Sequence, residues 1–289
     1  MISEPGKPGD IAPPPTAPAR GDIRPLVRRH RLSTRLWHWL NALTVLVMLM
    51  SGLMIFNAHP RLYWGRYGAN FDSAWLAIGA TADEGRLRIG PCFVPTTGLL
   101  GLWTDHEGRV QRLAFPGWAT IPGHYSLSAA RRWHLAFAWL LVVPGLLYGL
   151  WSLLNGHVRR DLAPRRAELA PRHVWHDIVQ HARLRFPTGE AAMRYNVLQK
   201  LSYMGVLFLL LPLMVLTGLA MSPAMDAAWP WLLDLFGGRQ SARSIHFIVA
   251  MLIVAFILIH LLMVLLAGPY NEVRSMITGR YRLPRERDE

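Results

Sequence analysis

The chain has 289 residues, 52% of them hydrophobic and 17% charged. That balance is too apolar for an ordinary soluble domain and too polar for an unbroken set of membrane spans. The formal net charge of +13 would suit nucleic acid if its arginines formed one surface, but they gather beside apolar segments, which removes that class. The single cysteine, Cys92, excludes an intrachain disulfide, a Cys-x-x-Cys-His attachment site and an iron–sulfur cluster held by this chain alone.

Residues 1–25 begin "MISEPGKPGDIAPPPTAPARGD", rich in Pro, Gly and Ala with no apolar core. They are expected to form a disordered tail rather than a cleavable signal peptide. Residues 26–282 read as one membrane domain, followed by a short tail at 283–289. Six arginines stand between Arg20 and Arg35, and the first apolar stretch then runs Leu36–Phe56. A long connection, residues 57–132, carries Trp64, Trp75, Trp103 and Trp118 among several Gly and Pro, so part of it is expected at the membrane–water interface. The second stretch is Trp133–Leu154. A basic, amphipathic connection follows, with Arg159, Arg160, Arg165, Arg166, Arg172, Arg183 and Arg185. The third and fourth stretches are Leu201–Met221 and Ile245–Ala267, joined by a short segment holding Arg239 and Arg243.

Each stretch reaches the roughly 20 residues needed to cross a bilayer, and none contains Asp, Glu, Lys or Arg. The predicted fold is therefore an all-α membrane protein, a bundle of four transmembrane helices. The positive-inside rule places both termini in the cytoplasm and the long 57–132 connection on the opposite side of the membrane, which the resemblance given below makes the periplasm of a bacterial inner membrane. A weak internal repeat agrees. "LMSGLM" ends the first stretch and "VLTGLAM" the third; "SAARRWHLAFA" opens the second and "SARSIHFIVA" the fourth.

Four histidines lie inside spans: His38, His134, His246 and His260. His246 and His260 are fourteen residues apart, which returns them to within about 40° of one helix face at depths about 21 Å apart. By the predicted topology His134 shares the outer depth with His246, and His38 the inner depth with His260. Two facing histidine pairs suit two b-type haems, each iron taking one imidazole from each helix. A zinc site would instead need its ligands converging at one depth.

Arg35, Arg131 and Arg243 each stand three residues before a span histidine, on its face and one turn nearer water, where a haem propionate would emerge. The competing reading is that arginine simply marks membrane boundaries. Gly52 follows His38 by fourteen residues and Gly145 follows His134 by eleven, so each would let the other haem approach its helix. Small-residue helix packing is the alternative. His173, His176 and His181 have generic spacing, better explained by an amphipathic surface than by a metal site. His59, in "NAHPRLYWG", lies just past the first span, where a propionate or a partner could meet it.

The segments "TRLWHWLN", "RRWHLAFAW" and "SIHFIVAMLIVAFILIH" resemble the bacterial four-helix di-haem cytochrome b group that includes the nickel–iron hydrogenase b-type cytochrome and the formate dehydrogenase gamma subunit. "YNVLQKLSYMGVLF" and "FGGRQSARSIHF" bring it nearest the thiosulfate-reductase-type cytochrome b subunit, and the likeness covers roughly residues 28–281. The resemblance implies a membrane subunit that passes electrons between quinone or quinol and a partner oxidoreductase, often a periplasmic molybdopterin enzyme. By the same analogy the quinone lies near the cytoplasmic-side haem, with Asn41 as a candidate neighbour. Two rival functions stand beside this: a transmembrane reductase working alone on a small oxidant, and a haem-free transporter or scaffold. The Trp-rich connection argues for a docking surface over the first, and the absence of intramembrane carboxylates argues against the second.

Overall fold

In the computed structural model, residues 26–69, 71–156, 158–183 and 196–282 are described. The two tails predicted at 1–25 and 283–289 lie outside the described residues. Four helices are long and apolar enough to cross a membrane: α1 (Leu32–Asn57), α2 (Leu127–Leu154), α4 (Val197–Ala220) and α7 (Arg239–Ala267). Each begins four to six residues before the apolar stretch read from sequence. The backbone continues helical past the hydrocarbon, and Arg35, Arg131 and Arg243 ride on these projecting first turns. Hydropathy marks only the lipid-facing part of a helix.

Prolines shape two of the spans. Pro144 sits inside α2, so the Leu140 carbonyl loses its intrahelical donor there. In α4 a five-residue π-helical stretch, Val206–Leu210, immediately precedes Pro212. Pro212 cannot donate to the carbonyl four residues back, and the widened turn accommodates that missing bond.

The spans are helical as expected, but the long connection adds β-structure that an all-α description leaves out. Strands β2 (Arg61–Leu62), β3 (Leu76–Ala80), β4 (Gly85–Ile89) and β5 (Cys92–Pro95) form an antiparallel sheet in that order. A further hairpin pairs β6 (Trp103–Thr104) with β7 (Val110–Gln111). The signal was in the alternation of "LAIGA", where Leu76 and Ile78 point to one buried side, and in the turn residues between strands. These strands are too short to stand out beside 20-residue apolar runs.

The sheet is seated on the helix ends that we term the loop face. Phe56 at the end of α1 packs with Leu62, Leu76, Ile78 and Ala114, and Phe247 of α7 lies against the same cluster. Asn57, 6% exposed, fastens the connection by a reciprocal pair of bonds: the Phe115 N–H donates to Asn57 Oδ1 at 2.7 Å, and Asn57 Nδ2 donates to the Phe115 carbonyl at 3.1 Å. The first turn of α7 has no side-chain cap. Instead the free N–H groups of Gln240 and Ser241 both donate to the Gly65 carbonyl, and the Gly65 N–H donates to Ser241 Oγ at 2.7 Å. Gly238, at φ +112°, permits this approach, since a Cβ there would come 2.6 Å from the Arg66 backbone.

The short connection after α4 folds as two small helices, α5 (Pro223–Ala228) and α6 (Trp231–Leu235), tied to α7 by Arg239, which donates to the Met221 carbonyl and to Asp226. At the opposite, terminal face, β1 (Leu26–Arg28) pairs with β8 (Arg280–Arg282). Next to that ladder, Arg29 bonds both oxygens of Glu272 on α8 (Pro269–Thr278) and lies 4.3 Å from the Tyr281 ring centre. The basic connection contains α3 (Pro171–Ala182). Nearby, Glu168 pairs with the buried Lys200 at 2.8 Å, a bond that holds the Glu168 carboxyl below the usual carboxylate range.

Asn57→Ala would strand two buried backbone groups of Phe115, at a cost of about 1–3 kcal/mol. The expected outcome is faster limited proteolysis of residues 57–126 and a lower thermal midpoint of the detergent-solubilised protein. Unchanged proteolysis would show that the apolar contacts alone hold the sheet.

Candidate functional site

The bundle brings the four span histidines together in two pairs. The His134 and His246 ring centres are 6.3 Å apart with planes at 60°, and those of His38 and His260 are 6.3 Å apart at 56°. Metal–imidazole bonds are about 2 Å long and a ring centre lies roughly 1.1 Å behind its nitrogen, so one metal ion between two rings separates the centres by about 6.2 Å. Ordinary aromatic pairs span 4.5–7 Å, so the spacing admits both arrangements. For the His134–His246 pair, hydrogen bonding adds a second criterion.

His134 Nδ1 lies 3.0 Å from the Met48 carbonyl and 3.1 Å from Ser51 Oγ. A carbonyl can only accept, so Nδ1 carries the proton and Nε2 keeps its lone pair. Ser51 Oγ donates its own hydrogen to the Val47 carbonyl at 2.7 Å and so faces the imidazole as an acceptor. The second repeat builds the same device. Thr217 Oγ1 donates to the Leu213 carbonyl at 2.6 Å and lies 2.9 Å from His246 Nδ1, and the Met214 backbone also hydrogen-bonds that imidazole. Ser51 and Thr217 are both fully buried. An outer hydrogen bond of this kind is what fixes the ring and tautomer of a metal-ligating histidine.

Glycine follows each hydroxyl. A Cβ at Gly52 would stand 3.4 Å from His134 Cε1, and one at Gly218 would stand 3.5 Å from His246 Cε1. The two halves thus match at one offset: Met48 with Met214, Ser51 with Thr217, Gly52 with Gly218. The repeat visible in the sequence is a repeat of histidine sockets. The hydroxyls themselves escaped the sequence reading. Their signal was the shared "SGL" and "TGL", each a small polar residue inside an otherwise apolar span.

The other pair departs from the repeat. At the same offsets His38 corresponds to Met204 and His260 to Tyr148. His260 stacks on Phe256 with ring centres 6.1 Å apart, and His38 meets Trp39 edge-on. His38 Nδ1 is buried and has no hydrogen-bond partner among the described residues, as has Thr44 Oγ1 deeper along the same helix. Buried polar atoms left unpaired within protein are where a bound group or water is expected. Two imidazole pairs, two of their rings held in the ligating tautomer, and orphaned atoms beside the third fit b-type haem at both depths.

The remaining candidates are distributed around these pairs. Arg35 donates to the Ile277 carbonyl, and its buried Nε has no partner among the described residues. Arg243 donates to the carbonyls of Arg61, at 3.1 Å, and His59, tying the loop-face connection to α7. Arg131 is exposed on the first turn of α2. Gly145 faces Trp37, which stacks on Tyr148 with ring centres 5.2 Å apart. Asn41 Nδ2 donates to the Trp37 carbonyl of its own helix at 3.0 Å. His173 and His176 are exposed on α3, whereas the His181 side chain lies outside the described residues, and no cluster of metal-binding type occurs among the described residues. Cys92 is exposed on β5. His30, next to the lower pair, is held down to about 4 by burial first and then by Arg29, His38 and Arg35, so it is neutral at pH 7.

Comparison with known proteins matches residues 29–279 to the family model described as prokaryotic cytochrome b561. The chain is 26% identical to the putative protein-methionine-sulfoxide reductase subunit YedZ1 of Azospira oryzae, covering 85% of this chain and 93% of that protein. It is 23% identical to the probable Ni/Fe-hydrogenase B-type cytochrome subunit of Cupriavidus necator, covering 85% and 78%. It is 26% identical to the putative cytochrome YdhU of Escherichia coli K12, covering 86% and 72%. No solved structure matches significantly.

Thr217→Val keeps the shape of the socket but removes the acceptor facing His246 Nδ1. A cost of about 1–3 kcal/mol is expected, seen as a lower thermal midpoint than that of the detergent-solubilised parent. A midpoint equal to the parent's would mean that the Met214 backbone alone satisfies the imidazole.

Proposed function

The chain belongs to the prokaryotic cytochrome b561 family, a haem-binding, electron-transferring multi-pass membrane protein, and on that premise we propose that it conducts electrons through two b-type haems. One is held between His134 and His246, the other between His38 and His260. The observation that carries this reading is the pair of 6.3 Å imidazole separations set fourteen residues apart along α7. Bound haem iron supplies a one-electron couple at each depth.

The protein's own work is orientation and insulation. Met48 and Ser51 on α1 hold His134 with Nε2 available, and Thr217 on α4 does the same for His246. Gly52 and Gly218 let the Nδ1–Cε1 edge of each imidazole approach the helix that orients it. Apolar side chains from four helices would exclude water, so the His134 and His246 imidazoles would each meet a hydroxyl on one side and iron on the other, which satisfies both ring nitrogens in lipid. Arg35, Arg131 and Arg243 stand one turn outside the histidines, where they would balance propionate charge, and Gly145 is the further proposed packing position.

We further propose that quinol or quinone exchanges electrons near the His38–His260 pair, with Asn41 as a neighbour, and that an oxidoreductase of molybdopterin type docks at the loop face. Two of the relatives are named as subunits of redox enzymes, a hydrogenase and a methionine-sulfoxide reductase, which supports a partner. The folded β-platform supports one too, since it presents Tyr67, Phe71, Phe93 and Trp118 to solvent. The arginine distribution supports cytoplasmic termini in a bacterial inner membrane.

The deciding experiment is a reduced-minus-oxidised visible spectrum with haem counted per chain, repeated for His246→Ala and His260→Ala. Two haems are expected, with each substitution removing a different one, and added quinol should reduce both in the parent. One haem per parent chain would break the pairing, and none under haem-replete expression would sink the electron-transfer mechanism.

A further inference from the structure

His59 and Tyr63 flank β2 on the loop face, beside the start of α7. Their rings stack with centres 5.8 Å apart and planes 27° apart. Both end in a buried polar atom without a partner among the described residues: Nε2 of His59 and Oη of Tyr63. Tyr63 is only 2% exposed, and its ring is fixed against Gly68, where a Cβ would approach to 2.5 Å.

The segment does not need these side-chain atoms to stay in place. Arg243 donates to the backbone carbonyls of His59 and Arg61, and Ser244 Oγ donates to the Tyr63 carbonyl at 2.5 Å. Trp75 Nε1 in turn donates to Ser244 Oγ at 2.9 Å. The backbone is pinned, while two polar atoms are left buried and unused. Such atoms cost about 1–3 kcal/mol each unless something pairs with them.

Their place identifies the missing group. Arg243, which grips this segment, stands three residues and about 4.5 Å of helix rise before His246. A tyrosine hydroxyl can donate its O–H, and an imidazole with its proton on Nε2 donates an N–H there. Burial, then Arg243 and Arg61, hold His59 below its ordinary value. Two donors beside an arginine, just outside a histidine pair, call for an acceptor that carries negative charge.

Resting on the bis-histidine reading above, we propose that His59 Nε2 and Tyr63 Oη donate hydrogen bonds to a carboxylate of the haem between His134 and His246, with Arg243 as its counter-charge. The pair disperses the carboxylate's negative charge, which would otherwise favour the ferric state, and so raises the potential of the loop-face haem alone.

The test is a spectroscopic redox titration of the full-length, haem-loaded protein carrying Tyr63→Phe, His59→Leu or both. Tyr63→Phe keeps the ring and its packing, so it remains informative if His59→Leu disturbs the fold. All variants should keep two haems. One midpoint should fall, by roughly tenfold in the oxidised-to-reduced ratio for the double variant, or about 59 mV for a one-electron couple. The other midpoint should stay put, and His246→Ala should remove the couple that moved. Two unmoved midpoints would mean that the atoms face only ordered water and would overturn the proposal, as would equal movement of both. Fewer than two haems in the unsubstituted chain would be a different failure, that of the ligand pairing itself.

Discussion

A neutral imidazole inside a membrane has two polar atoms and no water to satisfy them. Everything central to this protein follows from how that constraint is met. For His134 and His246 the answer is a hydroxyl on the neighbouring helix, one residue ahead of a glycine. The hydroxyl satisfies Nδ1, the glycine lets the ring approach the helix, and Nε2 is left without a proton in the tautomer that this bonding sets. The helices α1 and α2, and likewise α4 and α7, are bound into pairs by the same contact that prepares the ligand.

The two depths are not built alike. The loop-face pair belongs to the internal repeat, one histidine from each half. The terminal-face pair breaks it, because the corresponding positions hold Met204 and Tyr148. Its rings lean on Phe256 and Trp39 rather than on hydroxyls, and His38 Nδ1 has no partner among the described residues. Hydrogen bonding to an axial imidazole is one of the levers by which a protein sets haem potential. Under the proposed ligation, the two haems would therefore have different electronic surroundings.

The loop face adds a second layer of control. The first turn of α7 carries no cap of its own and takes its acceptor from Gly65. Arg243 then grips the carbonyls of His59 and Arg61 one turn before His246 on the same helix. Anything that docks on the sheet is thus mechanically continuous with the helix that supplies a histidine to both pairs. The terminal face is closed differently, by the β1–β8 ladder and the Arg29–Glu272 ion pair, largely shielded from water.

Much of this was legible in the sequence. Apolar runs of membrane length, the fourteen-residue histidine spacing and the "SGL" and "TGL" echo depend only on local composition and helix periodicity, which sequence carries directly. What sequence could not supply was which groups meet across distance. Ser51 reads as a small packing residue until α2 brings His134 to it, 83 residues away. Arg243 reads as a boundary arginine until the connection returns its carbonyls to α7. His59 and Tyr63 became a pair only through stacking across β2. The sheet was missed because two- to five-residue strands bury their few apolar side chains against helices from elsewhere in the chain, and a strand that short has no signal of its own. The sequence determined the spans, the repeat and the identity of the four histidines, because those are properties of one helix at a time. Only the tertiary structure decided the tautomers of His134 and His246, the hydroxyls that meet them and the unpartnered polar atoms nearby, because hydrogen bonds and burial are relations between segments.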